Sequence, residues 1–205
     1  MKPDEIENLS FQIIDQEAGN HNLTTEQWAI VRRMIHTSAD FGYKDTVRFH
    51  PDAIKSGLDA IRSGKNIITD TNMARVGIRK KELDQFGAGV TCYMNDPQVH
   101  NNAKETGVTR AKVAVDMAID DMQGGIYVVG NAPTALMRLI ELVKEKKAQP
   151  ALIIGLPVGF VNAAESKAAL MELDYPFITN VGRKGGSNVA ASVVNALSIM
   201  ASGDA

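Results

Sequence analysis

Residues 126–147 read IYVVGNAPTALMRLIELVKEKK, and this stretch decides the fold. Ile126 to Val129 is a β-type apolar run. Gly130-Asn131-Ala132-Pro133 is a turn whose proline suits the first position of a helix, and Thr134 to Lys147 carries apolar residues at helical spacing. Strand, turn and helix together make the repeating unit of a parallel sheet. The unit recurs on both sides, with further strands expected at Asn66 to Thr69, Gly89 to Tyr93, Ala151 to Ile154 and Phe177 to Thr179. Helices are expected at Lys80 to Phe86, Arg110 to Met122, Glu165 to Leu173 and Asn188 to Ala201. Five strands alternating with helices predict an α/β fold, a doubly wound parallel sheet covered on both faces.

Upstream of this core, residues 1–63 read as all helical. Thr24 and Gln27 form a capping box, with Leu23 and Trp28 in the hydrophobic-staple positions, and Trp28, Val31 and Ile35 recur at helical spacing. Pro51 opens another helix through Ile54, Leu58 and Ile61, which Gly64 ends. A chain of 205 residues suits one domain. The expected organisation is a single α/β domain over 1–205, with 1–63 as a helical N-terminal extension and 64–205 as the doubly wound core.

Composition narrows the function. The 22 Lys and Arg against 24 Asp and Glu give a net charge of −2, and aromatic residues make up 5% of the chain. A nucleic-acid footprint needs a basic face with interleaved aromatics, so nucleic acid is not an expected partner. No basic start followed by an apolar run marks secretion, and the uncharged stretch Gln149 to Ala164 is broken by two prolines and two glycines. No membrane association is expected, and the protein reads as cytoplasmic. The lone Cys92 forms no internal disulfide and reads as a buried thiol.

In an open parallel sheet, ligands sit at the carboxyl ends of the strands, so the loops there carry the functional argument. They are Asp70-Thr71-Asn72, Met94-Asn95-Asp96, Gly130-Asn131-Ala132-Pro133, Gly155-Leu156-Pro157-Val158-Gly159 and Asn180 to Ser187. Glycine-rich turns entering helices present backbone N–H groups to anions. Neither a dinucleotide G-x-G-x-x-G nor a P-loop occurs in the right context, which favours an anionic organic ligand over a nucleotide. Gly182-Arg183-Lys184-Gly185-Gly186-Ser187 places two cations beside such a turn, unless it is simply a tight connection with solvated charges.

Thr109 reads as an N-cap, yet Arg110 and Lys112 follow in the first turn, where positive charge opposes the helix dipole at roughly 0.3 to 1 kcal/mol each. A ligand carboxylate or a neighbouring Asp or Glu would compensate. His21, His36, His50 and His100 form no metal-ligand spacing, so no metal is expected. If the helix capped by Thr24 runs on past Ile35, then Arg32, His36 and Asp40 share one ridge at i, i+4 spacing. Asp40 would favour the imidazolium and Arg32 would oppose it, leaving His36 either a general acid or a structural residue. Asp70, ending the first core strand, is a weaker possibility as a phosphoacceptor.

These residues carry a resemblance. The chain resembles the precorrin-8X methylmutase family, the precorrin isomerases of cobalamin biosynthesis. The matching blocks are Ser10-Phe11 with Ile13-Ile14, Glu17 and Gly19; Arg33-Met34-Ile35-His36-Thr37 with Asp40-Phe41; Asp70 with Met73 and Gly77; and Gly107-Val108-Thr109-Arg110. They continue through GNAPTAL from Gly130, IIGLPVGFVNAAESK from Ile153 and GRKGGSNVAA from Gly182. The resemblance implies a flavodoxin-like three-layer α/β/α fold with five parallel strands in the order 2-1-3-4-5, and a homodimer with active sites near the subunit interface.

It also implies the reaction: a methyl group moves from carbon 11 to carbon 12 of precorrin-8X or cobalt-precorrin-8, giving hydrogenobyrinate or cobyrinate. His36 falls on the family's catalytic histidine. Contacts to the tetrapyrrole carry over to Ser10, Arg110 and Lys112, and more weakly to the loops holding Gly130, Asn131, Arg183 and Gly186. A sigmatropic methyl shift requires neither nucleophile nor redox cofactor, and no cofactor is expected. The alternative is a protein that binds and delivers a corrinoid without converting it.

Overall fold

The computed structural model describes residues 2–203. Its sheet has six strands: β1 (Val47–Phe49), β2 (Ile67–Thr69), β3 (Val90–Thr91), β4 (Ile126–Val129), β5 (Leu152–Gly155) and β6 (Phe177–Asn180), in the spatial order β1-β6-β5-β4-β2-β3. The five expected strands are β2 to β6. They are parallel and lie as β3-β2-β4-β5-β6, which is the expected order 2-1-3-4-5. The expected count is corrected by β1, which adds antiparallel to the outer edge of β6, Val47 facing Asn180 and Phe49 facing Ile178. The first 63 residues are therefore not all helical.

The central strands β4 (IYVV) and β5 (LIIG) are uninterrupted buried runs because both faces of the sheet are covered there. Alternate residues feed opposite cores. Ile67, Ile126, Val128, Leu152, Ile154 and Ile178 join one core with α2 (Thr25–Ser38), α4 (Ala53–Arg62) and α11 (Ser187–Ser202). Ile68, Tyr127, Val129, Ile153 and Phe177 join the other with α8 (Arg110–Met117), α9 (Pro133–Lys144) and α10 (Ala163–Met171). This is the period-2 pleat read out as two layers of helices.

On the first face α11 is central, packing against α2, α4 and α5 (Asn72–Gly77). α1 (Pro3–Ala18) lies outside α2. The Thr24 capping box forms as expected: Thr24 Oγ1 accepts from the Gln27 N–H at 3.2 Å, and Gln27 Oε1 accepts from the Thr24 N–H at 3.0 Å. A short turn of helix, α3 (Tyr43–Thr46), leads into β1, and another, α6 (Lys81–Asp84), precedes β3. α7 (Pro97–Thr106), absent from the sequence reading, packs against α8.

Candidate active site

Three loops at the carboxyl edge of the sheet are locked together. Asp70, 2% exposed at the end of β2, accepts the N–H groups of Gly130, Asn131 and Ala132 at 2.9, 2.8 and 2.7 Å. Burial pushes its carboxyl above the usual carboxylate range, against the downward pull of these donors. With both oxygens so engaged, Asp70 organises the β4–α9 turn and is not an open phosphoacceptor. Next to it, Thr71 caps α5 and exchanges a hydrogen bond with Ser187 Oγ at 2.8 Å. Gly130 presses on the start of α11 so closely that a Cβ there would stand 2.6 Å from Ser187 Cα.

The β6–α11 loop reaches from this cluster to the end of α2. Lys184 Nζ pairs with the Asp40 carboxylate at 2.6 Å, and the Asp40 carboxyl is held below the usual range by that bond, with the Gly42 N–H assisting. The expected ridge of Arg32, His36 and Asp40 does not form. α2 ends at Ser38, Ala39 takes a left-handed conformation (φ 53°), and Asp40 leaves the helix to meet Lys184.

His36 lies in the last turn of α2 with its imidazole exposed. Its ring meets the Phe11 ring edge-on, centroids 5.2 Å apart, and the guanidinium groups of Arg32 and Arg33 lie 4.4 and 5.2 Å from the same Phe11 centroid. Those two cations are compensated, Arg32 by Asp15 and Arg33 by Glu7, each at 2.9 Å. Ser10 adjoins Phe11 on α1 and donates its hydroxyl to the Ile6 carbonyl at 2.9 Å, leaving oxygen lone pairs to accept. Ser10 is thus the chain neighbour of the ring that touches His36.

On the opposite side, Thr109 caps α8 and donates to Thr134 Oγ1 at 3.1 Å, tying the Arg110 block to the start of α9. Arg110 is exposed at the first position of α8 and makes no ion pair among the described residues. Lys112 has a distant carboxylate, Glu141 at 4.0 Å, which Arg138 holds more closely at 2.8 Å. A cavity of about 450 Å³ between α7 and α8 is lined by Lys112, Asn102, Thr106, Val108, Val113 and Met117, with Asp116 at its wall.

The glycine loops are less open to anions than the sequence suggests. The amides of Gly130 and Asn131 are taken by Asp70, and the Gly186 N–H donates to the Leu156 carbonyl at 2.9 Å. Gly130 and Gly186 therefore shape the rim, while Asn131, Arg110 and Arg183 present exposed side chains from it. Arg183 makes no ion pair among the described residues, and its guanidinium lies 5.6 Å from the centroid of Phe160, which is 85% exposed. Sequence reasoning missed the ties that assemble this rim, in Asp70, Thr71, Phe11 and Lys184, because each acts on a residue distant in the chain.

Residues 5–200 match the family model for precorrin-8X methylmutase. The chain belongs to the precorrin-8X methylmutase family. Cobalt-precorrin-8 methylmutase from Priestia megaterium is 50% identical over 201 residues, covering 98% of this chain and 89% of that protein. Precorrin-8X methylmutase from a Sinorhizobium species is 37% identical, covering 94% and 92%. Among solved structures, the precorrin-8X methylmutase of Thermus thermophilus superposes with a TM-score of 0.92 at 44% identity, covering 98% of this chain and 97% of that one. Family membership makes this chain an isomerase of cobalamin biosynthesis, and an enzyme more than a carrier.

Proposed function

We propose that this chain moves the methyl group from carbon 11 to carbon 12 of cobalt-precorrin-8 or metal-free precorrin-8X, with His36 as the proton donor. The observation that carries the proposal is an exposed imidazole on the same sheet edge as Arg110 and Arg183, which make no ion pair among the described residues, in a chain matched to the methylmutases over residues 5–200. An imidazole both gives and takes a proton at its ring nitrogens, so it can lend one to a ring nitrogen of the tetrapyrrole and take it back. Protonation draws electron density from the conjugated system and eases migration, and return of the proton leaves the mass of the tetrapyrrole unchanged. Such assistance is worth ~10²- to 10⁴-fold. The remaining acceleration comes from holding the macrocycle in one conformation.

The acetate and propionate arms call for cations and neutral donors, a role that suits Arg110, Lys112, Arg183 and the side chains of Asn131 and Ser10. His36→Ala tests the reading. It should fold, bind hydrogenobyrinate or cobyrinate within about threefold of wild type, and turn over roughly 10²- to 10⁴-fold more slowly. Turnover close to wild type would remove His36 from the acid role.

We further propose a homodimer. Ile6, Leu9 and Ile13 are 51%, 42% and 46% exposed along α1, and Met73 and Val76 on α5 are 69% and 73% exposed. Apolar groups left open in this way suit a second copy. Light scattering should give twice the chain mass, and a monomer at micromolar concentration would overturn the proposal. No helix among the described residues is long and apolar enough to cross a membrane. A cytoplasmic setting is proposed on the single cysteine, which suits a reducing compartment.

A further inference from the structure

Lys167 sits in α10 within the run Ala163-Ala164-Glu165-Ser166-Lys167-Ala168-Ala169, and its side chain is fully buried, 0% exposed. No carboxylate pairs with it among the described residues. Its Nζ donates instead to Asn180 Oδ1 at 3.1 Å and to the Lys184 carbonyl at 2.5 Å. Burial without a countercharge lowers its pKa to about 8. A methionine of similar length would fill the same space without placing an ammonium in an apolar seam. Packing alone therefore does not account for a lysine here.

The two oxygens that Lys167 holds bracket one turn. Asn180 ends β6, is itself 0% exposed, and donates from Nδ2 to the Val181 carbonyl at 3.2 Å. One ammonium thus grips the entry of the Val181–Lys184 turn through Asn180 and its exit through the Lys184 carbonyl. Other ties complete the frame: the Gly159 N–H donates to the Arg183 carbonyl at 3.2 Å, and Lys184 Nζ reaches Asp40. Asp40 neutralises Lys184. Arg183 is then the cation that the turn presents outward.

We propose that Lys167 is a positioning residue: from its buried seat in α10 it fixes the Val181–Lys184 turn so that Arg183 stands ready for a carboxylate of the tetrapyrrole. The inference rests on the functional reading above. Its test is titration of hydrogenobyrinate or cobyrinate, followed by absorbance, into wild type, Lys167→Met, Arg183→Ala and the double variant, with KM and kcat measured for each. Lys167→Met and Arg183→Ala should each weaken product binding and raise KM by about tenfold, the loss expected for one charge-assisted hydrogen bond, while kcat stays within about threefold. In the Arg183→Ala background, Lys167→Met should change affinity less than about twofold, because no guanidinium remains to be placed.

A lysine that merely stabilises the fold would lower Tm in both backgrounds and give additive losses of affinity. Additive losses, or unchanged affinity in Lys167→Met, would overturn the proposal. Should Lys167→Met not fold, Lys167→Gln, which keeps a donor for one of the two oxygens, must show the same non-additivity. If neither variant folds, Lys167 serves the core and the proposal falls. Wild type that binds neither product would overturn the functional reading itself, a result distinguishable from failure of Lys167 alone.

Discussion

Gly130→Ala probes the contact that joins two of the loops. A methyl group there would stand 2.6 Å from Ser187 Cα, 3.0 Å from Ser187 N and 3.2 Å from Ala190 Cβ. Carbon atoms pack at about 3.5 to 4.0 Å, so the turn and the start of α11 must part by roughly 1 Å. Neither side yields freely. Asp70 holds the turn by three N–H bonds, while Val189, Ala190 and Ala191 bury the start of α11 at 2%, 0% and 2% exposure. Overpacking of this kind costs about 1–3 kcal/mol, and the reduced freedom of the unfolded chain returns about 0.4–1 kcal/mol. The net loss of about 0–2.6 kcal/mol, ~1.3 kcal/mol at mid-range, lowers Tm by ~3–5 °C at that mid-range for a chain of this length. Calorimetry would read it, and product titration should show weaker binding as the rim opens. Asn131→Ala serves as control: its exposed side chain lies outside the contact, so Tm should stay within about 1 °C. If Gly130→Ala melts and binds like wild type, the loops are not rigidly apposed and the reasoning is wrong.

Two further expectations concern charge. Arg110→Ala should weaken product affinity by about 10- to 100-fold with little change in Tm, since the exposed guanidinium has no protein partner among the described residues, and unchanged affinity would make Arg110 a surface residue. Lys184 holds the Asp40 carboxyl below its ordinary value of 3.8, so the stability this pair contributes is complete above that value and is lost as pH falls through the lower folded one. With Asp40 partly exposed, that contribution is about 0–1 kcal/mol. Asp40→Asn should remove it from the acid limb of an unfolding profile, and a superimposable limb would show that the pair contributes nothing.

The doubly wound core was legible because parallel strands covered on both faces are short apolar runs, and turn residues separate them from longer helical patterns. β1 escaped because three residues, Val47-Arg48-Phe49, carry too little alternation to be told from the helices around them. α7 escaped for a different reason. Only Val99 and Ala103 are buried on it, so its periodicity is faint, although Asp96 accepting from the Gln98 N–H and Pro97 at the first position were signals that could have found it. The end of α2 was hidden because Ala39, and not glycine, takes the left-handed cap. Among the candidates, exposed His36, Arg110 and Arg183 were picked out by residue type, although the ridge expected around His36 does not form. The buried ties were not. Lys167 beside Glu165 in a small-residue helix looks like a solvated charge until the fold places Asn180 and the Lys184 carbonyl against it.

The antiparallel edge made by β1 has a consequence for how the protein is born. Val47 waits for Asn180, so roughly 130 residues of chain must emerge before that edge can close. α2, which carries His36, leans on α11, the last helix of all. On a ribosome, the middle of the sheet can assemble while the amino-terminal helices remain undocked, and α2 finds its seat only when synthesis is nearly done. A half-made chain therefore lacks both the partner strand of β1 and the helix against which α2 packs.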